Sequence, residues 1–184
     1  DEGQIDILCG GSQKALSAPP GLTFVTVSEK AMKTMEERKT PIASFYANIL
    51  VFKDYYKNQW FPYTMPISDI YGLRIALENV KAEQNSMWDR HAKMGEMTRT
   101  AVQEMGLELY LENGYSNTVT VIKVPEGMKA SDILETMKKD YHIMIAGSFD
   151  VLTGQVIRIG HMGENTNEDD VKETLEALKY TLEK

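Results

Sequence analysis

A single cysteine in 184 residues leaves no partner for an internal disulfide. Cys9 lies in the apolar run Ile5 to Cys9, and a buried, reduced thiol is the expectation there. Histidine is scarce as well: His91, His142 and His161 are far apart and lack the close His or Cys spacings of common metal sites, so no metal is expected. Positive charge is outnumbered, 20 Lys plus Arg against 27 Asp plus Glu, and the net charge of −7 argues against nucleic-acid binding. No run approaches the roughly 18 to 20 consecutive apolar residues of a membrane span. The opening Asp1-Glu2-Gly3-Gln4 has neither an initiator Met nor the basic and apolar regions of a secretory signal. We therefore expect a cytoplasmic chain with no nucleic-acid or membrane partner, and one whose start is missing. What is present, 42% apolar and 26% charged residues, suffices for one good-sized globular domain or two small ones.

Ile5 to Cys9 reads as a buried strand running into a loop at Gly10-Gly11, and Leu22 to Val27 as a second strand. Ser28 then suits the N-cap of a helix reaching about Arg38. Between Ile42 and Pro66 aromatics crowd together, among them Phe45, Tyr46, Phe52, Tyr55, Tyr56, Trp60, Phe61 and Tyr63, a density typical of a core or a subunit interface. From Ile67 the positions Ile70, Leu73, Leu77 and Val80 recur at helical spacing, with Ser68 or Asp69 available as cap. A second helix spans about Ser86 to Met105 and ends at Gly106. Leu107–Leu111 and Thr118–Val124 read as a hairpin across Asn113-Gly114. Ser131 opens a helix to about Lys139, Ile143–Ala146 and Gln155–Gly160 read as strands, and Asn167–Leu182 as the last helix, with Glu168, Asp169 and Asp170 suiting its positive end. We expect division into residues 1–83 and 84–184, the second a compact α+β module.

Three positions carry chemical interest. Lys14 lies in a glycine- and proline-framed loop after a strand, the place where ligands bind in α/β sheets, and a partly desolvated lysine there can attack a carbonyl. An ordinary solvated lysine is the competing reading. Arg158 alternates with Ile157 and Ile159 and so faces away from them, which leaves both a surface arginine and a fork-like grip on a carboxylate open. Tyr63-Thr64 precedes a helix start and could offer hydroxyls to an anion such as phosphate.

Gly11-Ser12-Gln13-Lys14-Ala15-Leu16-Ser17-Ala18-Pro19-Pro20-Gly21 resembles the cofactor-lysine segment of the class V aminotransferases, the family of alanine–glyoxylate and serine–pyruvate aminotransferases. Tyr63-Thr64-Met65-Pro66-Ile67-Ser68 resembles the segment before that family's long interdomain helix, and Val156-Ile157-Arg158-Ile159-Gly160 its substrate-carboxylate strand. The resemblance covers the whole chain but only the second half of the family's usual length. It implies an α/β fold: the C-terminal half of a fold type I pyridoxal-phosphate-dependent transferase, comprising the end of the large three-layer α/β domain, residues 1–83 with the interdomain helix, and a small α+β domain, residues 84–184. The half that would carry the glycine-rich phosphate loop, the ring-stacking aromatic and the aspartate for the pyridine nitrogen is not in this sequence.

By this resemblance Lys14 forms the Schiff base with pyridoxal 5'-phosphate and then shuttles the proton at the substrate α-carbon. Arg158 grips the substrate carboxylate, Gln13 hydrogen-bonds the cofactor, and Thr64, beside Tyr63, reaches the cofactor phosphate of the neighbouring subunit in a homodimer. Phe61 stands where some members place a tyrosine, so that hydroxyl is lost and its replacement by Tyr63 stays open. The implied activity moves an amino group from alanine or serine to pyruvate or glyoxylate. The alternatives are a catalytically inactive fragment, one part of a split enzyme complemented by a separate N-terminal half, or a lyase of the same fold. A cysteine desulfurase ranks low, because that pattern has histidine before the lysine where this chain has Gln13.

Overall fold

The computed structural model describes residues 4–184. Asp1, Glu2 and Gly3, on which the expectations of a missing start and of no secretory signal partly rest, lie outside the described residues. Contacts within the chain gather into two units, Asp1–Leu77 and Glu78–Lys184.

In the first unit, strands β1 (Ile7–Gly11) and β2 (Thr23–Val27) form an antiparallel ribbon in which Ile7 faces Val27 and Gly11 faces Thr23. Both strands were expected. The burial expected of Ile5–Cys9 is not found: Cys9 is exposed, as are Ile7 and Leu8, and Val25 on the partner strand. A two-stranded ribbon has no third layer of its own, and among the described residues these apolar side chains stay exposed. Helix α1 (Glu29–Glu36) starts where the sequence places it, with the Ser28 hydroxyl accepting from the Ala31 N–H at 3.0 Å. That hydroxyl also donates to Asp6 Oδ1 at 2.7 Å while Lys30 Nζ reaches Asp6 Oδ2 at 2.8 Å, so one carboxylate ties the helix start to the strand start. These contacts hold the Asp6 carboxyl below its ordinary value.

The aromatic segment forms no core in this unit. Phe45, Tyr46, Tyr55, Tyr56 and Trp60 are exposed, and a 3-10 turn at Ile49–Phe52 sets Phe52 against Phe61 and Tyr63 at 5.6 and 5.5 Å between ring centroids. Helix α2 (Ile67–Glu83) follows. The division between the units, at Leu77 and Glu78, falls inside this helix, whereas the sequence places it at the helix end.

The second unit has a well-filled core. Helices α3 (Ser86–Glu104), α4 (Ala130–Tyr141) and α5 (Glu168–Leu182) pack with an antiparallel pair, β3 (Val119–Lys123) and β4 (Val156–Gly160). Met94 and Val102 of α3, Ile133 and Met137 of α4, Leu175 and Leu178 of α5, and Ile122, Ile157 and Ile159 of the strands make one buried cluster. Each helix buries residues three or four apart, the spacing of one helical face. Asn167 caps α5 by accepting from the Asp170 N–H at 2.9 Å, and Gly106, at φ +78°, ends α3 in the left-handed conformation that suits glycine. The expected partner strands are reduced to single bridges, Leu109 opposite Ile122 and Ala146 opposite Arg158. Ser131 lies inside the first turn of α4 rather than at its cap, a position taken by Lys129.

Candidate active site

Ser12 is fully buried and organises the loop that presents Lys14. Its hydroxyl donates to the Pro19 carbonyl at 2.6 Å, its N–H to the Leu22 carbonyl at 3.1 Å, and its carbonyl accepts from the Ala18 N–H at 3.0 Å. Inside that closure the Ser17 N–H bonds the Lys14 carbonyl at 2.9 Å, with Ser17 held at φ +56°. The loop base is seated on α2. A Cβ on Gly72 would stand 3.0 Å from the Pro19 ring, and one on Gly21, at φ +141°, 2.8 Å from the Asp69 carboxylate. Glycine at both positions therefore permits the close approach. Gln13 and Lys14 are exposed at the tip, and among the described residues no carboxylate pairs with the Lys14 amine. The loop is a braced support for a free primary amine.

Tyr63 and Thr64 lie just ahead of α2. The Tyr63 hydroxyl donates to the carbonyls of Phe45 and Tyr46, at 3.0 and 3.3 Å, and its ring sits among Phe45, Tyr46 and Phe52. With that proton engaged, the exposed Thr64 hydroxyl is the donor of the pair left for an anion.

Arg158, in the second unit, faces away from the core that Ile157 and Ile159 enter, as the alternation along the strand requires. Its backbone exchanges hydrogen bonds with Ala146, at 2.6 and 3.0 Å. Its side-chain Nε–H donates to the Gly147 carbonyl at 2.6 Å, and the guanidinium carbon stands 5.8 Å from the centroid of the Phe149 ring. Nη1 and Nη2 have no hydrogen-bond or ion-pair partner among the described residues. Such a guanidinium is aimed, with its two outer nitrogens ready for a carboxylate. Gly147 and Phe149 went unnoticed in the sequence, because the register that sets Ala146 against Arg158 leaves no local pattern.

A second network fixes the chain beyond β4. Arg90 Nη1 donates to the carbonyls of Gly163 and Thr166 at 2.8 and 2.7 Å, while Nη2 reaches both Glu83 carboxylate oxygens at 2.8 and 2.7 Å. Beside it the buried His91 donates from Nδ1 to the Met87 carbonyl at 2.7 Å and accepts at Nε2 from the Gly163 N–H at 3.0 Å. That pattern fits the neutral ring. His161 is likewise buried, between the Thr120 hydroxyl at 2.8 Å and the Asn117 carbonyl at 3.1 Å, and burial pushes its pKa below the ordinary imidazole value. A cleft of about 430 Å³ opens along Met144, Gly160 and Asp170 and leaves Arg158 outside its lining. Among the described residues no cluster of three His, Cys, Asp or Glu could hold a metal ion, and no helix is long and apolar enough to cross a membrane.

A family model described as aminotransferase class-V matches residues 1–173. An uncharacterized aminotransferase of Methanocaldococcus jannaschii is 38% identical over 99% of this chain and 48% of its own length. The serine–glyoxylate aminotransferase of Arabidopsis thaliana is 37% identical over 91% of the chain and 42% of its own length. Among solved structures, the alanine–glyoxylate aminotransferase of Nostoc superposes with a TM-score of 0.91 at 29% identity, covering 97% of this chain and 48% of that one. The chain thus spans about half the length of the relatives it matches.

Proposed function

Because the chain belongs to the class V aminotransferase family, we propose that it is the lysine- and arginine-bearing, C-terminal half of a pyridoxal 5'-phosphate-dependent aminotransferase. Its mixed α/β fold is that of the fold type I enzymes, of which it covers about half. The observation that carries the proposal is Lys14: an exposed primary amine, without an ion-pair partner among the described residues, at the tip of a loop closed by the buried Ser12 and seated against α2. The donors present suit the cofactor. Lys14 offers an amine to its aldehyde, Gln13 a carboxamide to a ring substituent, and Thr64 a hydroxyl to its phosphate.

When bound, pyridoxal phosphate supplies a sink for the electron pair left on the substrate α-carbon. The residues of this chain do the rest. Lys14 Nζ would hold the cofactor through its amine and would carry the proton from the substrate α-carbon to the cofactor. Arg158 binds the α-carboxylate through Nη1 and Nη2, which fixes the orientation of the α-C–H bond and lowers the entropic cost of reaching the reactive geometry. Tyr63 braces the segment that presents Thr64, and in a homodimer that hydroxyl serves the phosphate of the neighbouring subunit. The substrates we assign are alanine or serine as donor and glyoxylate or pyruvate as acceptor. A reducing compartment, the cytoplasm, suits the free and exposed Cys9.

A second reading, that the chain works as one part of a split enzyme, is favoured by the exposed Ile7, Leu8 and Val25 of the ribbon, which a complementary N-terminal half would cover. Incubation with pyridoxal phosphate, borohydride reduction and peptide mapping test the lysine assignment. The phosphopyridoxyl mass is expected on the peptide containing Lys14 and absent from Lys14→Ala. Even labelling across the surface lysines would reject it. Intact mass of the active material then separates one chain from two.

A further inference from the structure

The Phe149 ring is 69% exposed, so burial does not explain its position. The ring stands against the guanidinium of Arg158, whose central carbon lies 5.8 Å from the ring centroid, inside the roughly 6 Å reach of a cation–π contact. The chain around the ring is closed rather than loose. The Phe149 carbonyl accepts from the Leu152 N–H at 3.2 Å, and Gln155 Nε2 donates to the Val151 carbonyl at 2.6 Å, which returns the chain to β4. Asp150 turns the backbone there at φ +49°, a conformation that non-glycine residues seldom adopt.

The Gly147 carbonyl constrains the same guanidinium from another side. With Nε–H committed to it at 2.6 Å, the side-on mode of binding a carboxylate, through Nε and one Nη, is closed. The end-on mode, through Nη1 and Nη2, is the one that remains. A ring over one face also keeps water off that face, and a less hydrated guanidinium attracts a carboxylate more strongly.

We propose that Phe149 is a positioning residue for the substrate carboxylate: together with the Gly147 carbonyl it holds Arg158 in a single end-on geometry, and the segment Ala146–Phe149 sets the affinity of this enzyme for small carboxylic acids. The inference rests on the reading of Arg158 as the carboxylate anchor. It goes beyond that reading by assigning the strength of the anchor to an exposed aromatic residue in a neighbouring loop.

The test is a titration of the purified chain with propionate, a monocarboxylate without an amine, followed through the Arg158 side-chain N–H resonances. The wild-type protein is expected to give a saturable shift. Phe149→Ala and Phe149→Leu should weaken the propionate Kd about two- to fivefold, and Phe149→Tyr, which keeps the ring, should restore it. In the holoenzyme the same variants should raise KM for amino and oxo acids by a similar factor at unchanged kcat, the mark of lost uniform binding. Equal propionate affinity in the wild type and Phe149→Ala overturns the proposal while leaving Arg158 as anchor. If propionate leaves the Arg158 resonances unmoved in the wild type, the anchor itself is wrong and both readings fall. Phe149 is exposed, so unchanged thermal melting of the variants is expected and excludes misfolding as the cause.

Discussion

Both carboxylate oxygens of Glu83, the last residue of α2, lie within 2.8 Å of Arg90 Nη2 on α3. From that anchorage the other outer nitrogen of Arg90 reaches the carbonyls of Gly163 and Thr166, so one side chain joins two helices to the loop leading into α5. Arg90→Ala would leave two backbone carbonyls and a carboxylate without their donor. We expect a loss of about 2 to 4 kcal/mol in urea unfolding monitored by circular dichroism. Glu83→Gln keeps the backbone contacts and should cost no more than about 1 kcal/mol.

His161 gives the second unit a pH dependence of definite sign. Burial lowers its folded-state pKa below the ordinary 6.5, so below that pH the unfolded chain binds a proton that the folded chain refuses. The neutral ring's contribution is fully present above pH about 6.5 and is lost as the pH falls below it toward the folded-state value. Urea midpoints of the wild type should therefore drop between pH 7.5 and pH 5.5 by more than those of His161→Gln. Equal drops would assign the dependence to other groups.

Ser12→Ala removes the buried hydroxyl that holds the Pro19 carbonyl at 2.6 Å. The expected cost is about 1 to 2 kcal/mol, since the carbonyl is left unsatisfied. Loss of the brace should also lower the selectivity of pyridoxal phosphate for Lys14, visible as label shifting to other lysines in the peptide map. Retained selectivity would show that Ser12 stabilises the loop without directing the amine.

Arg158→Ala should raise KM for amino and oxo acids strongly, by about 2 to 5 kcal/mol in binding free energy, because a paired charge contact is lost. Arg158→Lys should recover only part of that, since an ammonium lacks the planar fork and cannot keep Nε on the Gly147 carbonyl. Steady-state kinetics of the two variants, compared at saturating cofactor, give the answer. An unchanged KM in Arg158→Ala would move the residue to the role of an ordinary surface cation.

What the sequence makes legible is what local pattern encodes. Asn167 with three acidic residues behind it marks the start of α5, Ser28 that of α1, and the alternation of Ile157, Arg158 and Ile159 sends the guanidinium away from the core. The resemblance at Gln13-Lys14 and around Arg158 named the candidate site without any structure. Contacts made across the chain stay hidden. Cys9 reads as buried because its neighbours are apolar, yet a ribbon with one partner strand exposes it. Leu107–Leu111 has the composition of a strand and pairs at a single residue, Leu109. The Gly147 carbonyl beneath Arg158 and the carbonyls that hold Tyr63 depend on non-local register, to which composition is blind.

The exposed position of Cys9 has a practical use. It is the single thiol of the chain, on β1 opposite Val25 and one strand end away from the Lys14 loop. A maleimide dye would therefore attach at one known place without engineering. Its rate of attachment would act as a gauge: fast while the ribbon stands open, slow once another chain lies across it.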